Sequence, residues 1–278
     1  MFKLLCPLVF CLVLANCANR PETPVISLLT AEAFAVNTAR LDALLPMDVL
    51  LLGEQHDAPE HQEIHSQVIT VLAQRGLLAA VALEMADNGV TTAQLHPSST
   101  EQQTRSALKW SDKGWPWQAY GPAVMAAVRA DVPVLGANLP REQMRSSMGD
   151  STLDGQLPNL ALKAQQQLMR SGHCNLLPES QISPMTRIQI AKDISMANTL
   201  ALVALPGKVV VLLAGSGHTD RLLGVPQHLP ANLRVKAVRL RAGDAAADDK
   251  AEAFDAVWQT PPLPEKDYCA EFKSQMSK

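Results

Sequence analysis

Two Gly-x-x-His sequences in this 278-residue chain each follow an apolar run, from Gly53 to His56 and from Gly215 to His218. The glycine permits a sharp turn and a close backbone approach, so the histidine can point across the end of the run. Imidazole and carboxylate groups placed in this way could bind a first-row divalent metal and leave one position open for water. They could also form a hydrogen-bonded structural network. The side chains concerned are Glu54, His56, Glu84 and His218.

Three well-known functional motifs are incomplete in this sequence. In His61–His65 the glutamate follows the first histidine by two residues instead of one, so the zincin helix motif is not present. The segment Gly215–Gly217 follows an apolar run but lacks the third glycine of a dinucleotide-binding turn. No Gly-x-Ser-x-Gly sequence occurs. The sequence therefore argues against these metalloproteases, a Rossmann cofactor and the usual α/β-hydrolase nucleophile.

Aromatic side chains are concentrated in residues 110–122, although they make up only 4% of the chain. This segment holds Trp110, Trp115 and Trp117, and also Tyr120, one of the two tyrosines. Large aromatic residues usually pack in a core, and here they could form a hydrophobic plug under a loop. They could equally form one wall of a ligand pocket.

Apolar runs separated by helical patterns predict an α/β fold with a mainly parallel sheet flanked by helices. The helix after the first run should begin at Pro59 and stop at Gly76, which are typical residues for a helix start and end. Ligands of such sheets bind outside the carboxyl ends of the strands, where the residues above and Asn138 would meet. The predicted strands are residues 48–52, 79–83, 132–135, 208–213 and 234–240.

The strand pattern is interrupted between residues 140 and 206, where residues 159–170 and 184–205 both predict helices. We interpret this segment as a helical insertion or lid within a single domain that covers residues 31–278. The formal charge of −3 and the scattered basic residues provide no surface for a nucleic acid.

The N-terminus has the features of an export signal, with Lys3 followed by an apolar run up to Ala15. The sequence before Cys17 resembles a bacterial lipobox, which predicts a signal peptide over residues 1–16, a lipid-modified Cys17 and a tether over residues 17–30. In a Gram-negative host the protein would be anchored to the outer membrane. An exported protein could pair Cys174 with Cys269, but two free buried thiols fit the sequence equally well.

Several segments, taken in order, resemble the ChaN-like haem-binding lipoproteins, whose superfamily also holds the Tiki and erythromycin-esterase-like proteins. They are LLGEQHDAPEHQ, VALEM, KGWPWQAYGP, GANLPR, AKDISMA and LLAGSGHTDRLLGVP, within residues 45–230. The resemblance implies a parallel α/β sheet with a helical subdomain, a lipid anchor in a bacterial membrane and a role in haem and iron acquisition. A homodimer and an outer-membrane haem receptor are further partners to expect.

The Tiki branch of the superfamily implies an alternative, a metal-dependent hydrolase that uses the paired Gly-x-x-His motifs and a glutamate. The implied metal ligands are His56, His218 and Glu54. We favour haem binding without catalytic turnover. Tyrosine ligates ferric haem iron in some proteins, and Tyr120 is our predicted axial ligand because Tyr268 lies in a polar tail. His173 could hydrogen-bond the phenolate, and Arg141 could meet a propionate. The predicted haem-binding residues are Tyr120, His173, Arg141, Trp115 and Trp117.

Overall fold

A six-stranded sheet lies at the centre of the computed structural model, which describes residues 25–244 and 251–276. Its strands are β1 (Val49–Glu54), β2 (Leu78–Asp87), β3 (Val134–Asn138), β4 (Val209–Gly215), β5 (Val235–Ala242) and β6 (Ala256–Thr260). They lie in the order β3-β2-β4-β1-β5-β6, and every neighbouring pair is parallel. The predicted α/β fold with a parallel sheet is confirmed.

Helices cover both faces of this sheet, which explains why its central strands begin with continuous apolar runs. All residues of β1 and of β4 are buried. The helices are α1 (Val25–Asp42), α2 (Pro59–Gln74), α3 (Glu101–Ala107), α4 (Trp117–Arg129), α5 (Arg141–Gly149), α6 (Asn159–Gly172), α7 (Glu179–Val203), α8 (Ser216–Thr219) and α9 (Tyr268–Met276). One face packs against α2 and α4, and the other packs against α7.

Strand β6 was not predicted from the sequence. Its five residues, AVWQT, include only one buried side chain, that of Trp258. It lies at the edge of the sheet and pairs with β5 alone. An edge strand has one free side and needs no continuous apolar run, so it carries a weak sequence signal.

The helical insertion between residues 140 and 206 is present and comprises α5, α6 and α7. Helix α7 begins at Glu179, five residues before the predicted start, and contains Pro184. Proline removes one helical hydrogen bond but does not end this helix. The short helix α5 was not predicted, and none of its side chains is buried. Within the insertion, a small core packs Ile190 of α7 against Leu153 and Leu157 from the connection between α5 and α6.

Helix α1 begins at Val25, inside the segment predicted to be a tether. No glycine or proline follows Pro24 in this region, and the helix packs on α2, where Asn37 Nδ2 donates to Gln67 Oε1 at 2.8 Å. The predicted signal peptide, the lipidated Cys17 and residues 17–24 of the tether lie outside the described residues. Within the described part of the chain, every helix is too short or too polar to cross a membrane.

A disulfide bond joins Cys174, in the connection between α6 and α7, to Cys269 in α9. The two Cα atoms are 5.6 Å apart across a sequence separation of 95 residues. Of the two alternatives left open by the sequence, the structure has the pair. The bond ties the last described helix to the tip of the helical insertion.

Candidate functional site

The carboxyl ends of β1, β2 and β4 bring together the four side chains that the sequence analysis placed at one site, Glu54, His56, Glu84 and His218. Strand β4 lies between β1 and β2, so Glu54, Glu84 and His218 converge across it. Two glycines allow this close packing. A Cβ on Gly53 would lie 2.1 Å from Thr219 Oγ1, and a Cβ on Gly215 would lie 2.8 Å from His56 Nε2. The glycines in both Gly-x-x-His sequences therefore provide space for neighbouring side chains.

Glu54 is the centre of a buried hydrogen-bond network. Its Oε1 accepts from the Tyr120 hydroxyl at 2.6 Å and lies 2.7 Å from His56 Nδ1. Its Oε2 accepts from Gln62 Nε2 at 2.9 Å. Burial alone would raise the pKa of the Glu54 carboxyl, but the hydrogen bonds with His56 and Tyr120 and the nearby His65 hold the pKa below its usual value. Glu54 is therefore a buried carboxylate whose charge is compensated by its neighbours.

Glu84 forms the second carboxylate of the site. Its Oε1 lies 3.4 Å from His218 Nε2, and its Oε2 accepts from the Gly215 backbone N–H at 2.7 Å. The same Oε2 is 4.0 Å from His56 Nε2. Burial disfavours the charged form, but the neighbouring His218 lowers the pKa of Glu84 well below its ordinary value. Asn138 supports this arrangement, because its Nδ2 donates to the Glu84 carbonyl at 2.8 Å.

His218 lies between two buried carboxylates. Its Nδ1 is 2.5 Å from Asp193 Oδ1. Burial favours the neutral ring, but Glu84 and Asp193 raise the pKa of His218 to about 10. Burial raises the pKa of Asp193 to about 6, despite the opposing effect of His218. At neutral pH the structure therefore contains an imidazolium held by Glu84 on one side and Asp193 on the other.

Asp193 was missed by the sequence analysis, although the sequence contains a signal for it. This residue is fully buried on the face of α7 that also carries Ile190, Met196 and Ala197. An aspartate at helical spacing among buried apolar residues needs a partner, because an isolated buried charge is very unfavourable. That spacing could have marked Asp193 as part of a polar site.

His56 differs from the rest of the network because its side chain is 41% exposed. Burial favours its neutral form, but the hydrogen bond with Glu54 and the charge of Glu84 raise the pKa of His56 above its ordinary value. The ring meets Trp115 edge-on, with the centroids 4.8 Å apart. His56 also lines a cavity of about 530 Å³ between the beginnings of α2 and α4, together with Asp57, Gln62 and Ala119. His56 therefore connects the buried network to solvent.

The predicted metal ligands are close together but are not arranged as a metal site. Across the described residues, no group of three or more His, Cys, Asp or Glu side chains could hold a metal ion. His56 Nδ1 is engaged with Glu54, and both ring nitrogens of His218 face carboxylates. Ligands of a metal must instead direct their lone pairs to one shared point. The donor atoms therefore fit an ionic hydrogen-bond network.

The aromatic segment divides into a packed part and an accessible part. Trp110 packs edge-on against Trp117, with 5.2 Å between the centroids, and also contacts Tyr120. Trp117 is buried, and its Nε1 donates to Glu101 Oε2 at 3.0 Å. Trp115 is only partly buried and lies beside His56. Of the two predicted haem-wall tryptophans, Trp115 thus reaches the cleft, whereas Trp117 belongs to the plug.

Tyr120 is only 1% exposed, and its hydroxyl points at Glu54. Burial and the adjacent carboxylate raise the pKa of Tyr120 far above its ordinary value. The predicted hydrogen bond between His173 and Tyr120 is absent. His173 Nδ1 lies 2.8 Å from the Met169 carbonyl, and its ring packs against Phe272. The two residues are separated because Tyr120 faces β1 from α4, whereas His173 lies at the end of α6.

The second tyrosine, Tyr268, lies next to the site, which the sequence analysis did not predict. The hydroxyl of Tyr268, at the beginning of α9, donates to Asp57 Oδ2 at 2.6 Å. Tyr268 is 49% exposed, and Asp57 directly follows His56 in the chain. No sequence pattern links residues 211 positions apart, so this contact could not have been found from the sequence. Arg141, at the start of α5, is exposed just beyond the end of β3.

The two other histidines of α2 have structural surroundings. His61 Nδ1 accepts from the Gln55 backbone N–H at 2.9 Å. His65 is buried with no hydrogen-bond partner, and its Nδ1 is 3.6 Å from Glu54 Oε2. Burial lowers the pKa of His65 to about 4, so the ring is neutral at physiological pH. Neither histidine forms part of a zincin site.

Comparisons with known proteins identify the family. The profile of the family described as "Haem-binding uptake, Tiki superfamily, ChaN" matches residues 40–229. The structure of ChaN from Campylobacter jejuni, described as showing cofacial haem binding, is 26% identical, with a TM-score of 0.64. The match covers 79% of this chain and 90% of the ChaN chain.

Two other solved structures are more distant. A mutant of the erythromycin esterase EreC in its open conformation is 13% identical with a TM-score of 0.44, covering 75% of this chain and 73% of that one. The type III effector HopBA1 is 15% identical with a TM-score of 0.37, covering 78% and 88%. Similarity this low supports no functional statement. A search of curated protein sequences gave no match. From the profile match, the chain belongs to the ChaN family of haem-binding uptake proteins in the Tiki superfamily.

Proposed function

We propose that this protein is a membrane-anchored haem-binding lipoprotein that acts in haem and iron acquisition. Family membership and the similarity to the haem-binding ChaN of Campylobacter jejuni support haem binding. The geometry of the chain supports a site at the carboxyl edge of the sheet. There the exposed Tyr268 is held on Asp57, next to the half-exposed His56, and this is the observation on which our assignment of the site rests.

The cavity beside His56 has the size and chemistry of a ligand pocket. Its volume of about 530 Å³ lies in the range of about 300–1,000 Å³ that is typical of small-molecule sites. Ala119 and Pro122 provide apolar lining. The ring of Trp115 packs against His56 and lines a separate cavity together with Met85 and Gly114. A flat apolar macrocycle could pack here while polar groups at the rim fix its orientation.

Tyr268 replaces Tyr120 as our candidate for the axial ligand. A phenolate is an established ligand of ferric haem iron. Tyr268 is exposed and is hydrogen-bonded to Asp57, which lines the cavity. On coordination Tyr268 must lose its proton; because the hydrogen bond to Asp57 raises the pKa of Tyr268, the phenolate would have to be stabilised by the ferric iron itself. Coordination by Tyr120 would instead require a fully packed side chain to move and to give up the hydrogen bond that it donates to Glu54.

A titration of the purified protein with ferric haem tests this assignment. We expect saturable binding with a tyrosinate-type charge-transfer spectrum. Tyr268→Phe should abolish this spectrum, because it removes the oxygen and keeps the ring. The matched control, Tyr120→Phe, should retain it. A spectrum lost in the control alone would return the ligand role to Tyr120, and a wild-type protein without saturable binding would refute the function.

The membrane anchor is a separate part of the proposal. The lipobox-like sequence before Cys17 supports lipid attachment and, in a Gram-negative host, an outer-membrane location. A haem receptor in the same membrane and a second copy of the chain are the partners that this function implies. Intact-mass measurement of membrane-extracted protein should find a chain that starts at Cys17 with acyl additions. An unmodified chain in the soluble fraction of the native host would contradict the anchor.

A hydrolase remains the second candidate, and one observation favours it. The partly exposed His56 is oriented by Glu54 in the manner of a general base with its supporting carboxylate. Purified protein should be tested for hydrolysis of model esters and peptides, with His56→Ala as the control. Turnover by the wild-type protein that is lost in this variant would support the hydrolase. A wild-type protein without turnover would contradict the hydrolase proposal.

A further inference from the structure

The described contacts that hold helix α9 at the sheet edge involve Tyr268, Cys269 and Phe272. Tyr268 donates to Asp57, Cys269 is bonded to Cys174, and the Phe272 ring packs against His173 with 5.5 Å between centroids. None of its side chains from position 268 to 274 is buried. Burial of apolar surface therefore contributes little to keeping this helix in place, and a helix of nine residues is marginal in isolation.

The disulfide lies directly beside the tyrosine. Cys269 follows Tyr268 in the chain, and Cys174 belongs to the tip of the helical insertion. The beginning of α9 thus spans from the insertion to the turn that follows β1. Both Tyr268 and Cys269 lie beyond residues 40–229, the segment that matches the family profile. The arrangement is therefore outside the part of the chain by which the family is recognised.

We propose that the Cys174–Cys269 disulfide is a positioning element that fixes Tyr268 on Asp57 at the haem site. The inference rests on the proposed function in one respect, the role of Tyr268 as the iron ligand. An exposed hydrogen bond contributes little by itself, because water competes for both partners. Without the covalent bond, α9 would lose its direct link to the helical insertion, and the position of Tyr268 would depend on non-covalent contacts.

The energetic reasoning is that of preorganisation. A ligand side chain that is already in place loses no conformational freedom when haem binds. The disulfide also closes a loop across 95 residues of sequence, so the unbridged chain would explore many positions of α9 that it now cannot reach. Haem affinity and the tyrosinate spectrum should therefore depend on the disulfide even though neither cysteine contacts haem.

The test uses the full chain and the double variant Cys174→Ser, Cys269→Ser, which removes the bond with little change in side-chain size. Hydrogen exchange is first measured without haem. Amides of residues 268–274 should exchange at least about tenfold faster in the double variant, while those of β1 and β4 stay protected. Asp57→Asn is the matched control, because it removes the carboxylate but keeps the disulfide, and it should leave α9 protected.

Ferric haem titration of the same proteins gives the second measurement. Affinity should fall by about tenfold or more in the double variant, and its tyrosinate band should weaken. Unchanged α9 exchange would overturn the inference, as would faster exchange with an unchanged haem spectrum, or loss of α9 protection in Asp57→Asn. A wild-type protein that binds no haem would instead refute the proposed function. The exchange data, collected without haem, would still decide whether the disulfide fixes Tyr268.

Discussion

Replacing His218 by glutamine should strongly destabilise the protein, because it removes the cation between two buried carboxylates. Glu84 and Asp193 are both buried, and His218 lies 3.4 Å and 2.5 Å from them. The rise in the pKa of His218 from its ordinary 6.5 to about 10 corresponds to about 5 kcal/mol of favourable interaction with the charged ring. Breaking a buried ion pair on one side typically costs about 3–5 kcal/mol. We therefore expect the free energy of unfolding of His218→Gln to fall by about 3–5 kcal/mol at pH 7.

The pH dependence of this loss provides a second check. The folded-state pKa of His218 is raised, so its stabilising contribution is fully present below pH 6.5 and is lost as the pH rises through about 10. The stability difference between wild type and His218→Gln should therefore shrink between pH 7 and pH 10. Asp193, with a pKa of about 6, is already ionised over that range. Urea unfolding at several pH values, followed by circular dichroism, measures this difference.

A compensating variant makes the reasoning refutable. In His218→Gln, Asp193 and Glu84 remain as two buried carboxylates without a cation. Adding Asp193→Asn removes one of these charges, so the double variant should be about 1–2 kcal/mol more stable than His218→Gln alone. If the second substitution destabilises the protein further, Asp193 is not the ionised partner of His218. A His218→Gln protein that unfolds like wild type at every pH would contradict the whole network.

Three further predictions concern the same edge and the anchor. Gly53→Ala should lower the free energy of unfolding by about 1–3 kcal/mol, because the new methyl group overlaps Thr219 Oγ1; Gly217→Ala, where nothing lies within 4 Å of the added carbon, is the thermal-melt control. Chelator-free protein should retain no stoichiometric zinc, manganese or cobalt, and His218→Ala should not alter its metal content in elemental analysis, because the imidazoles are engaged with carboxylates. Cys17→Ala should release the protein from membranes into the soluble fraction, as followed by immunoblotting.

The sheet and the glycine turns could be predicted because they depend on local patterns. Fully buried strands require continuous apolar runs, and each predicted run overlaps one of the strands β1 to β5. The helix start at Pro59 was correct for a similar reason, because proline has a fixed backbone angle suited to a first turn. The convergence of Glu54, Glu84 and His218 followed from parallel strands ending at the same edge.

The remaining parts of the site depend on contacts that the chain order does not encode. Asp193 reaches His218 from a helix of the insertion, and Tyr268 reaches Asp57 from the end of the chain. The buried state of Tyr120 depends on how α4 packs against α2 and the sheet, which its position in an aromatic segment does not reveal. The sequence could therefore suggest only that a tyrosine is the ligand. The structure separates the two tyrosines, because Tyr268 is exposed and Tyr120 is buried.

The position of β4 between β1 and β2 also constrains how the protein is made. β1 and β2 are consecutive in sequence but are not neighbours, so neither can complete its central pairing until residues 209–215 are available. More than half of the chain, including the helical insertion, must leave the ribosome before that happens. During synthesis at about 5–20 residues per second, the apolar strands β1 and β2 are made before β4, the strand that pairs with both. Such distant pairings form slowly, and a truncated product that stops before β4 would expose both strands to aggregation or to capture by a chaperone.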